Sequence, residues 1–255
     1  MKGKHNKKQK YTKIKVVLII IFLLGLSYIV FSIYSYYKNK LENENILNDI
    51  SIVEEEITPT KTKRILQLEE LKKQNEDIIG WLEIEGTNVN YPVMQRTDNE
   101  YYMTHNYKKE YSTEGSIFLD KDYNWDKPST NLLMYGHNNK NGSMFQNLMN
   151  YKDEEFYKQH PIINFTTINE DKKYEIIAVF YSRVYYKNEK NVFRYYYFLN
   201  ADNKEEFDYY INESKKASLY DTGKTAEYGE QLLTLSTCSY HTEDGRFVVV
   251  AKKID

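Results

Sequence analysis

The feature that most limits what this chain can be is an uncharged run of twenty-two residues, VVLIIIFLLGLSYIVFSIYSYY, from Val16 to Tyr37. At the rise of a helix, about twenty apolar residues are enough to cross a bilayer. A buried core helix rarely runs this long without a charge. A cleaved signal peptide has a shorter apolar core followed by small residues. Here the run ends in Tyr34, Tyr36 and Tyr37 and meets Lys38, with no A-x-A pattern. The reading is an uncleaved signal anchor. The fifteen residues before it, MKGKHNKKQKYTKIK, hold seven lysines and no acid. The positive-inside rule keeps them in the cytoplasm and places everything after Tyr37 outside the cell. The expected organisation is a cytoplasmic basic tail (1–15), a single-pass transmembrane anchor in the lipid bilayer (16–37), a charged linker broken at Pro59 (38–61) and an extracellular domain (62–255).

The formal net charge of −2 gives no case for a nucleic-acid partner, and membrane topology accounts for the basic arm. The 26 tyrosines and only four prolines read as the bias of an AT-rich bacterial genome and carry no chemistry.

In the extracellular part, TKRILQLEELKKQNEDIIGWL places Ile65, Leu68, Leu71 and Ile78 at helical spacing. It predicts an amphipathic helix ended by Gly80. Short β-type runs follow: WLEIEG, NVNYPVMQ, GSIFLD, TNLLMYGH, PIINFTTI, KKYEIIAVFYS, NVFRYYYFL, EQLLTLSTC and GRFVVVAKK. Short strands separated by turn residues predict a mainly β fold with a closed or nearly closed barrel of about eight strands, not alternating βαβ units. Helices are expected near Met144–Gln159 and over 203–217, where Phe207, Tyr210 and Ile211 share a face. There is no glycine-rich phosphate loop, and one cysteine cannot build a Cys/His zinc site. No metal and no cofactor is expected.

The only cysteine, Cys238, ends the apolar run QLLTLSTC. Outside the cell it has no partner for an internal disulfide, so it is either a small buried hydrophobe or a reactive thiol. A reactive thiol needs an imidazole or another cation beside it. His5 lies in the cytoplasmic arm, His241 stands only three residues from the thiol, and His105 and His160 sit in polar segments. His137 instead ends the apolar run NLLMYGH, as Cys238 ends its own. Arg246 opens the next strand, so a hairpin over SYHTEDG returns it to the same rim. There its guanidinium can hydrogen-bond a carbonyl oxygen gaining negative charge. Taken singly, His137 reads as a turn histidine and Arg246 as a strand-edge charge.

TLSTC with an arginine opening the following strand resembles the sortase signature, and LLMYGHN resembles the sortase histidine segment. The ordered series GWLEIEGTNVNYPVMQ, DNEYY, GSIFLD, YGHN, GSMFQNL, FYKQHPIINF and RFVVVAKKI is most similar to class B sortases of Gram-positive bacteria, over roughly Ile65 to Ile254. The resemblance implies an eight-stranded sortase barrel with N-terminal helices and a helix in the β6/β7 loop. It implies that Cys238 is the nucleophile, attacking the Thr carbonyl of an NPQTN- or NPXTG-like sorting signal near the C-terminus of an exported protein. It makes His137 the acid/base partner and Arg246 the residue that orients substrate and steadies the tetrahedral intermediate. An amine of a peptidoglycan precursor or cross-bridge peptide then takes the acyl group. Ser236 and Met94 match substrate-contact positions. Some class B enzymes carry an acid two residues after the cysteine; here that position is Tyr240, with Glu243 and Asp244 as the nearby acids. Nothing resembles the acidic calcium cluster of some class A enzymes. Two further readings stay open: a surface cysteine protease that hydrolyses the signal, and a non-catalytic surface binding protein with a buried thiol.

Overall fold

The computed structural model describes residues 15, 18–34, 37–38 and 62–254. The chain divides into two units, 1–54 and 55–255. In the first, residues 18–34 are helical, with exposed apolar side chains such as Leu24 and Phe31. Among the described residues no helix is long and apolar enough to cross a membrane. The expected anchor spans 16–37, of which 16–17 and 35–36 lie outside the described residues, as do the basic tail up to 14 and the linker from 39 to 61.

The second unit opens with helix α1 (Lys63–Gln74), capped by Thr62, whose side chain accepts the Ile65 N–H. Eight strands follow: β1 (Ile78–Glu83), β2 (Asn90–Met94), β3 (Ile117–Leu119), β4 (Asn131–Gly136), β5 (Ile162–Thr166), β6 (Asp171–Arg183), β7 (Leu232–Cys238) and β8 (Gly245–Lys253). They close into a barrel in the order β1-β2-β3-β4-β7-β8-β6-β5. Helix α2 (Glu154–Gln159) precedes β5, and helix α3 (Lys204–Ala217) lies in the connection from β6 to β7. The eight-stranded barrel and the β6/β7 helix agree with the expectation.

Three local expectations are corrected. The first helix does not run to Gly80: Asn75 caps it, its N–H reaching the Leu71 carbonyl, and Ile78 already belongs to β1. The helix expected near Met144–Gln159 is a 3₁₀ segment, Gln146–Lys152, followed by α2, because the Asp153 side chain accepts the Glu155 N–H and starts a new helix. NVFRYYYFL is not a strand. It contains a 3₁₀ turn, Tyr195–Tyr197, whose first ring is buried.

Strand alternation explains where a site can lie. Successive side chains of a strand point to opposite faces. Leu132 and Met134 of β4, Leu233 and Leu235 of β7, and Phe247 and Val249 of β8 fill the barrel interior. Leu133, Leu232, Val248 and Val250 point outward and pack under Phe207, Tyr210 and Ile211 of α3. Each such buried side chain contributes about 1.5–3 kcal/mol relative to exposure. β7 therefore has no wet face over most of its length, and its polar members are the small Thr234, Ser236 and Thr237.

Candidate active site

The outward positions continue beyond the apolar cluster. On β7 the sequence Leu232, Thr234, Ser236 leads to Cys238. On β4 it runs through Leu133 and Tyr135 to His137, one residue past the strand. On β8, Val250 and Val248 lead back to Arg246. β4 and β7 are parallel, with Gly136 paired to Thr237. β7 and β8 are antiparallel, with Cys238 paired to Arg246. Side chains of directly opposed antiparallel residues have Cβ atoms about 4.5–5.5 Å apart. These two registers bring His137 to the same rim and the same face as Cys238 and Arg246, although the histidine stands far from both along the chain.

All three line a cleft of about 280 Å³. Tyr135, Ser236 and Thr237 share its floor with them. Asn99 and Met103, from the connection between β2 and β3, form one wall. Val184, Tyr195 and Tyr196, from the β6/β7 connection, form the other. Cys238 is a free thiol, half-buried. Its carbonyl accepts from Asn138 Nδ2 at 2.9 Å, and the Thr237 hydroxyl donates to the Gly136 carbonyl at 2.7 Å. These two bonds tie the ends of β4 and β7 together where the imidazole and thiol emerge.

His137 Nε2 donates to the Met103 carbonyl at 2.7 Å. A carbonyl only accepts, so this bond places a proton on Nε2, and Nδ1 makes no hydrogen bond among the described residues. Arg246 Nη1 donates to the carbonyls of Asp244 (3.1 Å) and Gly245 (2.9 Å). The guanidinium is thereby held by its own turn, with Nε and Nη2 left for a ligand.

Ser236 lies in the cleft, but its hydroxyl is paired with the Tyr195 hydroxyl at 2.7 Å. Burial pushes the Tyr195 phenol well above the usual tyrosine range, so it stays neutral. Met94 does not line the cleft. It is completely buried, and its register partner Phe118 lines the cleft instead. His241 is also outside: its ring packs on Tyr181 at 4.7 Å, and its Nδ1 meets the Ser239 hydroxyl. Tyr240 is exposed to solvent, and neither Glu243 nor Asp244 lines the cleft. Sequence patterning does not single out Asn99, Met103, Val184, Tyr195 or Tyr196, because they lie on connections without periodicity. The one usable signal is DNEYYM, a polar-aromatic segment that has to return from β2 to the rim of β4.

Proteins of known family match this chain over most of its length. A sortase-domain family model matches residues 82–254. The sortase B of Listeria monocytogenes is 33% identical over 223 residues, covering 86% of this chain and 87% of the relative. Among solved structures, sortase B from B. anthracis in complex with AAEK1 has a TM-score of 0.72 at 31% identity, covering 87% of this chain and 98% of that one. A Staphylococcus aureus sortase B–substrate complex has a TM-score of 0.68 at 27% identity, covering 85% and 94%. With a barrel of the same architecture and a match through both strands that carry the thiol and the arginine, this chain belongs to the sortase family and is a cysteine transpeptidase of the sortase B type.

Proposed function

We propose that the protein is a membrane-anchored sortase that cleaves an NPQTN- or NPXTG-like C-terminal sorting signal after its Thr and transfers the protein to an amine of the cell-wall peptide. The observation that carries this reading is the register Cys238–Arg246, beside the strand that delivers His137, on the floor of one cleft. With the pair in its thiolate–imidazolium form, both ring nitrogens of His137 carry protons; the Cys238 thiolate attacks the Thr carbonyl, and a C–S bond forms as the C=O π bond breaks. The oxygen takes the negative charge and is met by the free donors of Arg246. On collapse, the peptide C–N bond breaks and His137 Nδ1 gives its proton to the leaving amine. The resulting thioester keeps its acyl-transfer potential, so an incoming amine takes the chain without ATP. His137 Nδ1 accepts the proton released by that amine, and Cys238 leaves as thiolate.

Support for the anchor comes from the sequence: the uncharged run 16–37 after a lysine-rich arm. In this reading the N-terminus is cytoplasmic and the barrel lies outside, where substrate and cell wall are.

Purified protein, an NPQTN-type peptide and a glycine-based amine should give a new amide product by mass spectrometry. Hydrolysis alone, with the amine in excess, would instead identify a protease.

Gly245 gives a second expected result. A Cβ there would run into the Ser239 carbonyl oxygen, which cannot give way without moving the hairpin. Gly245→Ala should shift Arg246 and lower kcat/KM by about 100-fold, the scale of an ångström misplacement, with the circular dichroism spectrum retained. Unchanged turnover would show that the turn does not aim the guanidinium.

A further inference from the structure

Asp120 follows β3 directly and does not itself line the cleft. It is buried, with 6% exposure. Its Oδ2 accepts from the Tyr135 hydroxyl and from Asn99 Nδ2, each at 3.0 Å. Its Oδ1 accepts the Asp122 N–H at 2.9 Å, and its own N–H donates to the Leu133 carbonyl. A carboxylate has no hydrogen to give, so each partner must be the donor. This settles the polarity of two groups on the cleft surface.

Tyr135 directs its single O–H at Asp120 and is left with lone pairs only. Ionisation offers no escape, because burial and then the Asp120 charge push the phenol far above the usual tyrosine range. Asn99 is equally fixed. Its Oδ1 accepts the Lys121 N–H at 2.8 Å while Nδ2 donates to Asp120, and a flipped amide would lose both bonds. One N–H of Nδ2 remains. In this part of the cleft Tyr135 therefore offers an acceptor and Asn99 a donor, both bonded to the same carboxylate oxygen.

We infer that Asp120 is a positioning residue that sets this part of the cleft to read a primary-amide side chain, asparagine or glutamine, in the sorting signal. The amide N–H meets the Tyr135 oxygen and the amide carbonyl meets the Asn99 N–H. A carboxylate side chain would face the Tyr135 lone pairs without a proton between them. An apolar isostere would leave the Tyr135 lone pairs and the second Asn99 N–H without a partner in the bound state. The inference rests on the proposed sorting-signal reading.

The test uses the full-length chain and NPQTN-type peptides in which each Asn or Gln is replaced singly by its acid or by Leu. Wild type should show an amide preference at one position. Asp120→Asn should reduce that preference about tenfold, the scale of one mis-paired hydrogen bond, through KM and with kcat kept. Tyr135→Phe should erode the same preference at the same position, and it carries the test should Asp120→Asn fail to fold. An unchanged preference in a folded variant, or a loss of kcat shared by every peptide, would make Asp120 a purely structural residue and overturn the inference. Mass spectrometry of the acylated enzyme separates the two levels. Wild type acylated without any amide preference overturns the inference alone. Wild type acylated by no peptide overturns the proposed sorting-signal reading and the inference with it.

Discussion

Cys238→Ala is expected to abolish both cleavage and transfer, by a factor of about 10⁴ or more, because no covalent intermediate can form. No other thiol can substitute, since the chain has one cysteine. The fold should survive. The thiol stands half-buried at the last position of β7, where the backbone is held by Asn138 and by the pairing with Arg246. Losing a small group there costs about 1 kcal/mol or less. The assay is product formation by chromatography, with the melting temperature as the folding control. Residual turnover of a few per cent in thiol-free protein would point to water activated elsewhere in the cleft, and the nucleophile assignment would fall.

How much of the fold is legible in the sequence follows from where burial is one-dimensional. β4, β7 and β8 are buried on both faces over most of their length, because the barrel interior lies on one side and α3, or the aromatics of the β6/β7 connection, on the other. Such strands announce themselves as runs, and their ends announce a rim. His137, Cys238 and Arg246 are legible for that reason. The same logic places α3, whose Phe207, Tyr210 and Ile211 form one stripe.

The errors come from tertiary contacts that local pattern does not carry. Ile78 fits a helical spacing, but Asn75 stops the helix and is itself buried, its Nδ2 donating to the Tyr102 hydroxyl and the Tyr107 carbonyl. RYYYF has the β-propensity of a strand, yet its rings are placed one by one. Tyr195 is buried and its hydroxyl pairs with that of Ser236, and the Tyr196 hydroxyl accepts the Tyr185 N–H. Asn99 and Met103 reach the cleft through a loop pinned at a distance: the Tyr102 hydroxyl donates to Asp77, and the Ser116 N–H to the Tyr102 carbonyl. Met94 misleads for the converse reason. It sits on a strand in the right neighbourhood, but it is buried beneath other side chains.

Arg246→Lys is expected to lower kcat about 10²–10³-fold, the cost of losing one oxyanion donor. Charge is conserved in this exchange, so the loss tests geometry. In the proposed mechanism the guanidinium does two things at once: Nη1 holds the Asp244 and Gly245 carbonyls, while the remaining donors of this cleft-lining side chain serve the substrate. Asp244 itself takes a left-handed backbone (φ 51°), and its carbonyl also accepts the Val184 N–H, tying the turn to the cleft wall. An ammonium is a point of charge on a flexible stem. It can keep the turn or reach the substrate oxygen, but it cannot span both. Alkylation of Cys238 by a small neutral reagent should remain near the wild-type rate, because in the proposed mechanism the arginine acts on the substrate's developing charge. A parallel fall in alkylation would mean that Arg246 serves the thiolate instead. Near-normal turnover by the lysine variant would mean that a positive charge at this rim is sufficient and the planar fork is not used.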